Sequence, residues 1–259
     1  MIDVDPSELG RNRPLALGIA ADIDVVLRQA TTLVPAGHAA RVAPWLAAVR
    51  NREVEGRRTL DEQAVSDDTP ISHYRWAAEI ARLVTPDTIV VGDGGDVVGC
   101  AAKFVPLHHA GQWLDPGPFG CLGVGPSFAL AAKLLYPERR VLLIAGDGAF
   151  GLNGMELETA VRFAAPFTCV IGNDGGWGQI RNPQLSFFGA ARSVATSLPA
   201  TTRYDTMVEA MGGRGVLVTK PAEIRPALER ALGSNEVWCV NVLLDPAAYR
   251  RTGQVSMAI

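Results

Sequence analysis

Residues 141–178 read VLLIAGDGAFGLNGMELETAVRFAAPFTCVIGNDGGWG, and this stretch decides the fold. Val141–Ala145 is a short apolar run typical of a buried parallel strand, and Phe167–Gly172 is a second one. Between them the pattern predicts a helix over Gly154–Ala164, which Pro166 ends. Since a strand–helix–strand unit joins parallel strands by a right-handed crossover, both strands end at the same edge of one sheet.

Acidic residues follow both strands at that edge. Asp147 stands in a Gly-Asp-Gly turn, and Asp174 stands in an Asn-Asp-Gly-Gly turn. Open α/β sheets bind ligands at this edge, and neighbouring carboxylates suit Mg²⁺, which also takes oxygens from a phosphate. The glycines let the backbone approach a bulky anion, and the helix that follows directs its positive end towards it. The pattern predicts a diphosphate held through Mg²⁺; the alternative is two ordinary turns.

The remaining chain alternates between predicted helices and short apolar strands up to about residue 245. Helix Tyr74–Leu83 leads into strand Thr88–Val91, and strands Val216–Val218 and Trp238–Leu244 flank a predicted helix over Pro221–Leu232. This alternation predicts an α/β fold, a doubly wound and mostly parallel sheet with helices on both faces.

Three regions follow from this pattern. Residues 71–259 are predicted to form the α/β domain. Residues 1–60 hold two short strands and two helices, one capped by Asp22 and one over Ala39–Val49, which is too little for a separate core. The charged stretch after them predicts a linker over residues 61–70.

Composition excludes several classes of function. The chain has 259 residues, 48% of them hydrophobic and 20% charged, with a net charge of −3. These values are ordinary for a globular protein, and without a basic run neither nucleic acid nor a membrane surface is expected as a partner. The start of the chain lacks the apolar core of a signal peptide. Four cysteines without Cys-x-x-Cys spacing predict reduced thiols and a cytoplasmic location.

The two acidic turns also carry a family resemblance. Gly146-Asp147-Gly148 followed by Asn173-Asp174, within GDGAFGLNGMELETAVRF and GNDGGWGQIRNPQ, resembles the thiamine diphosphate motif of acetolactate synthase large subunits. The resemblance implies a thiamine diphosphate-binding fold with thiamine diphosphate and Mg²⁺ as cofactors. It implies Asp147, Asp174 and the backbone carbonyl of Gly176 as metal ligands. Asp174 stands where this family usually has Asn, which adds a negative charge beside the diphosphate.

The resemblance implies further cofactor contacts in two glycine-rich loops. One loop follows Thr88–Val91, and the resemblance places its Gly95 and Asp96 near the cofactor diphosphate. The alternative role for Asp96 is the N-cap of the next helix. The other is WLDPGPFGCLGVGPSFALAAK, where Leu122 would hold the thiazolium ring against the aminopyrimidine and the carbonyl of Gly120 would accept from the 4′-amino group. The implied cofactor-binding residues are Gly95, Asp96, Gly120, Leu122, Gly146, Asp147, Gly148, Ala149, Asp174 and Gly176.

The segment after Asp174 would cover the substrate face. By position, Gln179 and Arg181 are candidate substrate contacts. The more ordinary interpretation, that both are exposed polar side chains at the start of a helix, is preferred.

The resemblance is to the C-terminal part of these enzymes, and residues 1–60 resemble the end of their central domain. No segment before residue 70 resembles the pyrimidine-binding domain, whose glutamate activates the cofactor. No catalytic residue is therefore assigned, and the chain is expected to be inactive alone. Completed by such a domain, in a homodimer, a tetramer or a complex with a separate chain, it would be a transferase or lyase that decarboxylates and ligates 2-oxo acids.

Two alternatives remain open at this point. The GPFG and GDGAFG segments also resemble 2-hydroxyacyl-CoA lyase and oxalyl-CoA decarboxylase, which would change the substrate. A third hypothesis is a non-catalytic fragment that binds cofactor or supports oligomerisation, because apolar surface left by a missing domain favours association.

Overall fold

A computed structural model describes residues 1–247, and the chain divides into two compact units, Met1–Arg58 and the chain from Thr59 onward. In the first unit two short strands pair in parallel, and the Asp22 side chain caps the helix that follows, as predicted. The elements of this part are β1 (Ile2–Asp3), β2 (Ile19–Ala20), α1 (Ile23–Thr32) and α2 (His38–Ala64), the last of which extends past the boundary.

Helix α2 is longer than predicted. The sequence predicted a helix over Ala39–Val49 and a linker over 61–70, whereas α2 continues without a break to Ala64. Its second half is rich in Glu and Arg, which favour helices, and Arg57 lies 3.8 Å from Glu53 one turn away. The charge of this stretch therefore belongs to an exposed helix, and residues 61–64 are helical. The domain limits themselves stay predictions.

The second unit is built on a six-stranded sheet in which every neighbouring pair is parallel, in the order β4-β3-β5-β6-β8-β7. This confirms the predicted fold class. Its elements are α3 (His73–Ala81), β3 (Thr88–Asp93), α4 (Asp96–Ala102), β4 (Trp113–Leu114), α5 (Gly125–Leu135), β5 (Arg140–Gly146), α6 (Asp147–Asn153), α7 (Glu156–Arg162), β6 (Thr168–Asn173), α8 (Gly178–Phe188), α9 (Tyr204–Ala210), β7 (Arg214–Val218), α10 (Pro221–Leu232) and β8 (Trp238–Leu243).

A hydrophobic core lies on each face of the sheet. Alternate residues of β5 point to opposite faces, so Leu142 packs with Trp76 and Leu228 in one core while Leu143 packs with Phe150 and Leu157 in the other. The central strands are buried on both sides, which explains their continuous apolar sequence.

The crossover between β5 and β6 begins earlier than predicted. Instead of one helix over Gly154–Ala164, the chain forms α6 directly after the strand, with Asp147 as its first residue, and then α7. Glycine and asparagine in DGAFGLNG have low intrinsic helix propensity, which is why the sequence pattern missed α6. The early helix start matters because it sets the position of Asp147.

A cluster of arginines around one buried carboxylate joins α3 to α10. Glu79, 2% exposed, contacts Arg82 and lies 3.3 Å from Arg75 and 2.8 Å from Arg225. We expect Glu79→Ala to lower the free energy of unfolding by about 2 kcal/mol or more, because it leaves three guanidinium groups without their shared carboxylate. Urea unfolding checks this, with Glu138→Gln in an exposed turn as the charge-matched control; equal stability of the two variants would contradict it.

Candidate functional site

The carboxyl ends of β3, β5 and β6 lie side by side at one edge of the sheet. A cavity of about 610 Å³ opens there. All ten residues predicted to bind a cofactor line it: Gly95, Asp96, Gly120, Leu122, Gly146, Asp147, Gly148, Ala149, Asp174 and Gly176. Gln179 lines it too. The structure thus brings these residues together, while the role of each stays a prediction.

Asp147 links the ends of the two central strands. Its side chain is 2% exposed; Oδ1 accepts from the backbone amide of Gly148 (2.8 Å), and Oδ2 accepts from that of Gly176 (3.0 Å). Burial, and then the nearby charge of Asp174, raise the pKa of Asp147 to about 7. A cation bound between the two carboxylates would stabilise the ionised form of both.

Asp174 lies at the end of β6 and is 5% exposed. Its Oδ2 accepts from Nη2 of Arg181 at 3.3 Å and lies 3.8 Å from Nε2 of His73. Two residues further along the chain, the carbonyl oxygen of Gly176 accepts a hydrogen bond from the backbone amide of Gly178 (3.0 Å). A carbonyl oxygen has two lone pairs, so this hydrogen bond leaves it able to ligate a metal.

Two glycines of the wall are places where a side chain does not fit. A Cβ on Gly95 would overlap the side chain of Gln179, and a Cβ on Gly148 would lie 2.9 Å from the ring of Trp177. Glycine at these positions lets the side chains of Gln179 and Trp177 pack directly against the backbone of the wall beside Asp147. A glycine-walled cavity with two buried carboxylates fits a diphosphate held through a divalent cation.

Asp93, the last residue of β3, positions the second glycine-rich loop. It is fully buried, and its carboxylate accepts from the amides of Gly123 (3.0 Å) and Gly125 (2.8 Å). Burial raises its pKa, an effect that the two amides oppose. Sequence reasoning did not assign Asp93 a role, although it belongs to the Gly/Asp-rich end of β3, the signal that identified Asp96. By holding this loop, Asp93 fixes the segment that presents Leu122 to the cavity.

Asp96 is not an N-cap, so that alternative is wrong. Gly95 occupies the N-cap position of α4, and Asp96 is the first helical residue. Its Oδ2 accepts from Nδ2 of Asn182 at 2.9 Å, and burial raises its pKa. The side chain therefore stands on the cavity wall, held by a residue of α8.

Helix α8 supplies parts of the site that sequence reasoning missed or misjudged. Arg181 was expected to be exposed, yet it is 8% exposed and lies behind Asp174, off the cavity wall. The segment after Asp174, which was expected to cover the substrate face, contributes apolar side chains to the outer wall, although none of them was singled out as a site residue. These side chains are Trp177, Ile180, Pro183 and Phe188. Their signal was the WG dipeptide and the apolar spacing that follow the second acidic turn.

Protein side chains alone do not enclose an ion here. Residues 1–247 hold no group of three or more His, Cys, Asp or Glu placed to share one metal. A cation at Asp147 and Asp174 would therefore take further ligands from the backbone, water or a bound phosphate, which is usual for Mg²⁺. Within the same described range, no helix is long and apolar enough to cross a lipid bilayer.

A parallel α/β sheet whose carboxyl edge carries two buried acids and a glycine-walled cavity defines a domain of the metal-diphosphate-binding class. Comparison with known families identifies which one. Residues 93–242 match the family described as thiamine pyrophosphate enzyme, C-terminal TPP binding domain, and the chain belongs to that family. The predicted resemblance and the predicted cofactors, thiamine diphosphate and Mg²⁺, are thereby confirmed.

Similar proteins include several enzymes of this family. The acetolactate synthase large subunit of Mycobacterium tuberculosis is 42% identical over 245 residues, which are 94% of this chain and 44% of that protein. The 2-hydroxyacyl-CoA lyase 2 of Caenorhabditis elegans is 34% identical over 252 residues, covering 93% of this chain and 38% of that one. The chain thus spans less than half the length of either relative.

A solved structure supports the fold. The thiamine diphosphate-dependent 4-hydroxybenzoylformate decarboxylase of Rhodococcus jostii RHA1 superposes with a TM-score of 0.64. The match covers 70% of this chain and 34% of that one at 23% sequence identity, so it shows a shared fold.

Proposed function

We propose that this chain is the diphosphate- and Mg²⁺-binding part of an acetolactate synthase-type enzyme that acts on 2-oxo acids. The observation that carries the proposal is the pair of buried carboxylates, Asp147 and Asp174, at the ends of adjacent strands beside a glycine-walled cavity. The similarity to the Mycobacterium tuberculosis protein supports this substrate class over others.

The residues present fit the cofactor. Asp147, Asp174 and the carbonyl of Gly176 would hold Mg²⁺, and the glycines of the wall would let backbone approach the diphosphate. When bound, thiamine diphosphate supplies the electron sink for decarboxylating a 2-oxo acid and transferring its acyl group. The chain's contribution is to anchor the charged end of the cofactor.

Other residues of the wall would act on the organic part of the cofactor and on its surroundings. Leu122 offers an apolar contact and Gly120 a backbone carbonyl on the same wall. Trp177, Ile180 and Phe188 form an apolar cover that would exclude water from the reacting atoms. Gln179 is proposed as a substrate contact because it reaches the cavity, whereas Arg181 does not.

The activating glutamate is proposed to come from elsewhere. Among the described residues, no glutamate lines the cavity. A pyrimidine-binding domain, in a homodimer, a tetramer or a separate chain, would supply it. In the same scheme residues 1–60 are part of a central domain and 71–259 form the cofactor domain. Residues 61–70 connect the two, beginning with the last turn of α2, and the assembled enzyme is cytoplasmic.

This proposal predicts binding without turnover for the 259-residue chain alone. We expect isothermal titration calorimetry to detect Mg²⁺-dependent binding of thiamine diphosphate, while CO₂ release from pyruvate stays at the uncatalysed rate. Adding a pyrimidine-binding domain that carries the glutamate should start turnover, and the same domain with that glutamate replaced by Gln is the matched control. Significant decarboxylation or carboligation by the chain alone would contradict the proposal.

A second candidate is a 2-hydroxyacyl-CoA lyase or an oxalyl-CoA decarboxylase, and the similarity to the Caenorhabditis elegans protein over 93% of the chain favours testing it. The completed enzyme would be assayed with pyruvate, a 2-hydroxyacyl-CoA and oxalyl-CoA in parallel. A kcat/KM that is higher for a CoA thioester than for pyruvate would replace the first candidate with this one.

A further inference from the structure

Two consecutive residues at the start of α8 each hold one carboxylate of the cavity. Arg181 donates from Nη2 to Oδ2 of Asp174 (3.3 Å), and Asn182 donates from Nδ2 to Oδ2 of Asp96 (2.9 Å). Arg181 also donates from Nη1 to the carbonyl of Gly175 (3.0 Å). One guanidinium therefore fixes both the acidic side chain and the backbone of the turn that leads to Gly176.

The cavity needs such a cation. Three carboxylates line it, those of Asp96, Asp147 and Asp174, and among the described residues its wall contains no Lys, Arg or His. A diphosphate would add further negative charge. The guanidinium of Arg181 lies directly behind Asp174, and the residue is almost fully buried.

We propose that Arg181 is a positioning residue, a fixed counter-charge that allows an aspartate at position 174 to serve in a site for Mg²⁺ and diphosphate. The inference rests on the proposed function of this site. Arg181 bonds one oxygen of Asp174 and cancels its charge at a distance where the interior screens poorly. The acidic side chain then ligates the metal without repelling the phosphates, and its orientation is set before the cofactor arrives.

The proposal explains a pair of residues that sequence reasoning treated separately. Asp174 carries one more negative charge than the usual Asn. Arg181, seven positions later, balances that charge with a positive one at hydrogen-bond distance. If the two residues form one unit, the change in binding free energy caused by replacing one must depend on whether the other is present. For independent residues the two changes in binding free energy would simply add.

The test is a double-mutant cycle with Arg181→Met and Asp174→Asn. Thiamine diphosphate affinity is measured by calorimetry at saturating Mg²⁺, with Mn²⁺ binding in the absence of cofactor and the Tm as second and third readouts. Arg181→Met should weaken cofactor binding by about 10- to 100-fold without weakening binding of Mn²⁺ alone, because the uncompensated carboxylate repels phosphate and not the metal. In the Asp174→Asn background, Arg181→Met should leave cofactor affinity within about 3-fold, because no carboxylate charge remains at position 174 for Arg181 to balance.

Controls separate this proposal from a structural role and from failure of the proposed function. Arg192→Met removes an exposed arginine of the same region and should change none of the readouts. Equal loss of affinity from Arg181→Met in both backgrounds, or a lower Tm with unchanged affinity, would overturn the counter-charge role. If Arg181→Met does not fold, the comparison of Asp174→Asn with the double variant still decides, since a fall in cofactor affinity of more than about 3-fold there also overturns it. Absence of cofactor binding by the wild-type chain would instead refute the proposed function.

Discussion

Asp147→Asn is expected to weaken Mg²⁺-dependent binding of thiamine diphosphate by about 100-fold or more. In the proposed function Asp147 is a ligand of Mg²⁺, which strongly prefers charged oxygen ligands, so the substitution would remove one of its carboxylates. Replacing even a residue that only supports a metal ligand commonly lowers metal affinity 10- to 100-fold. It also breaks local geometry. Asp147 accepts hydrogen bonds on both oxygens from two backbone amides, and Asn offers only one acceptor oxygen, so its NH₂ group must face an N–H donor.

Calorimetric titration of cofactor at several Mg²⁺ concentrations measures this effect. The control is Asp87→Asn, which makes the same chemical change at an exposed position before β3. That variant should bind as the wild type does. Unchanged cofactor affinity of Asp147→Asn would refute a metal site at this edge of the sheet. The assignment of Asp147, Asp174 and Gly176 as metal ligands would then also be wrong.

Gly125→Ala is expected to lower the free energy of unfolding by about 2 to 3 kcal/mol, as overpacking of a core does. A Cβ at Gly125 would lie 2.5 Å from Cβ of Asp93 and 2.7 Å from Cδ1 of Leu143. Both neighbours belong to central strands and cannot move freely. The same shift would break the hydrogen bond from the Gly125 amide to Asp93, so the loop that carries Leu122 should lose its position as well.

Urea unfolding measures the loss of stability, and cofactor titration measures the effect on the loop. Gly99→Ala is the matched control, since it lies within α4 and a Cβ there meets nothing within 4 Å. In a helix this change should be neutral or stabilising by up to about 1 kcal/mol. A Gly125→Ala protein as stable as Gly99→Ala would show that this close contact is not a constraint on the fold.

Most of the fold could be predicted because its signals are local. Buried strands such as β5 are short apolar runs, α10 begins with a proline, and these two elements span only 7 and 12 residues. The errors also have a local cause. The charged end of α2 looked like a linker because charge indicates exposure and does not by itself separate helix from coil, and α6 was missed because its sequence is rich in glycine.

The site was less accessible to sequence reasoning than the sheet. Asp147 and Asp174 could be found because each follows a strand directly, and parallel strands bring their ends together. Asp93 belongs to a similar turn, yet its partners lie 30 and 32 residues away in the chain. Nothing local indicates such a pairing. The same is true of Asp96 and Asn182, which are 86 residues apart.

By itself the sequence determined that acidic turns end two adjacent parallel strands, because alternating apolar strands and helices leave few other arrangements. The cofactor class followed from the resemblance of these turns to the thiamine diphosphate motif. Only the tertiary structure decided where Arg181 goes. At the start of a helix its side chain could face solvent or protein, and the choice depends on how α8 packs against the end of β6. The fold turns it inward because a buried Asp174 needs a nearby positive charge, and a pairing of this kind is set by position in space.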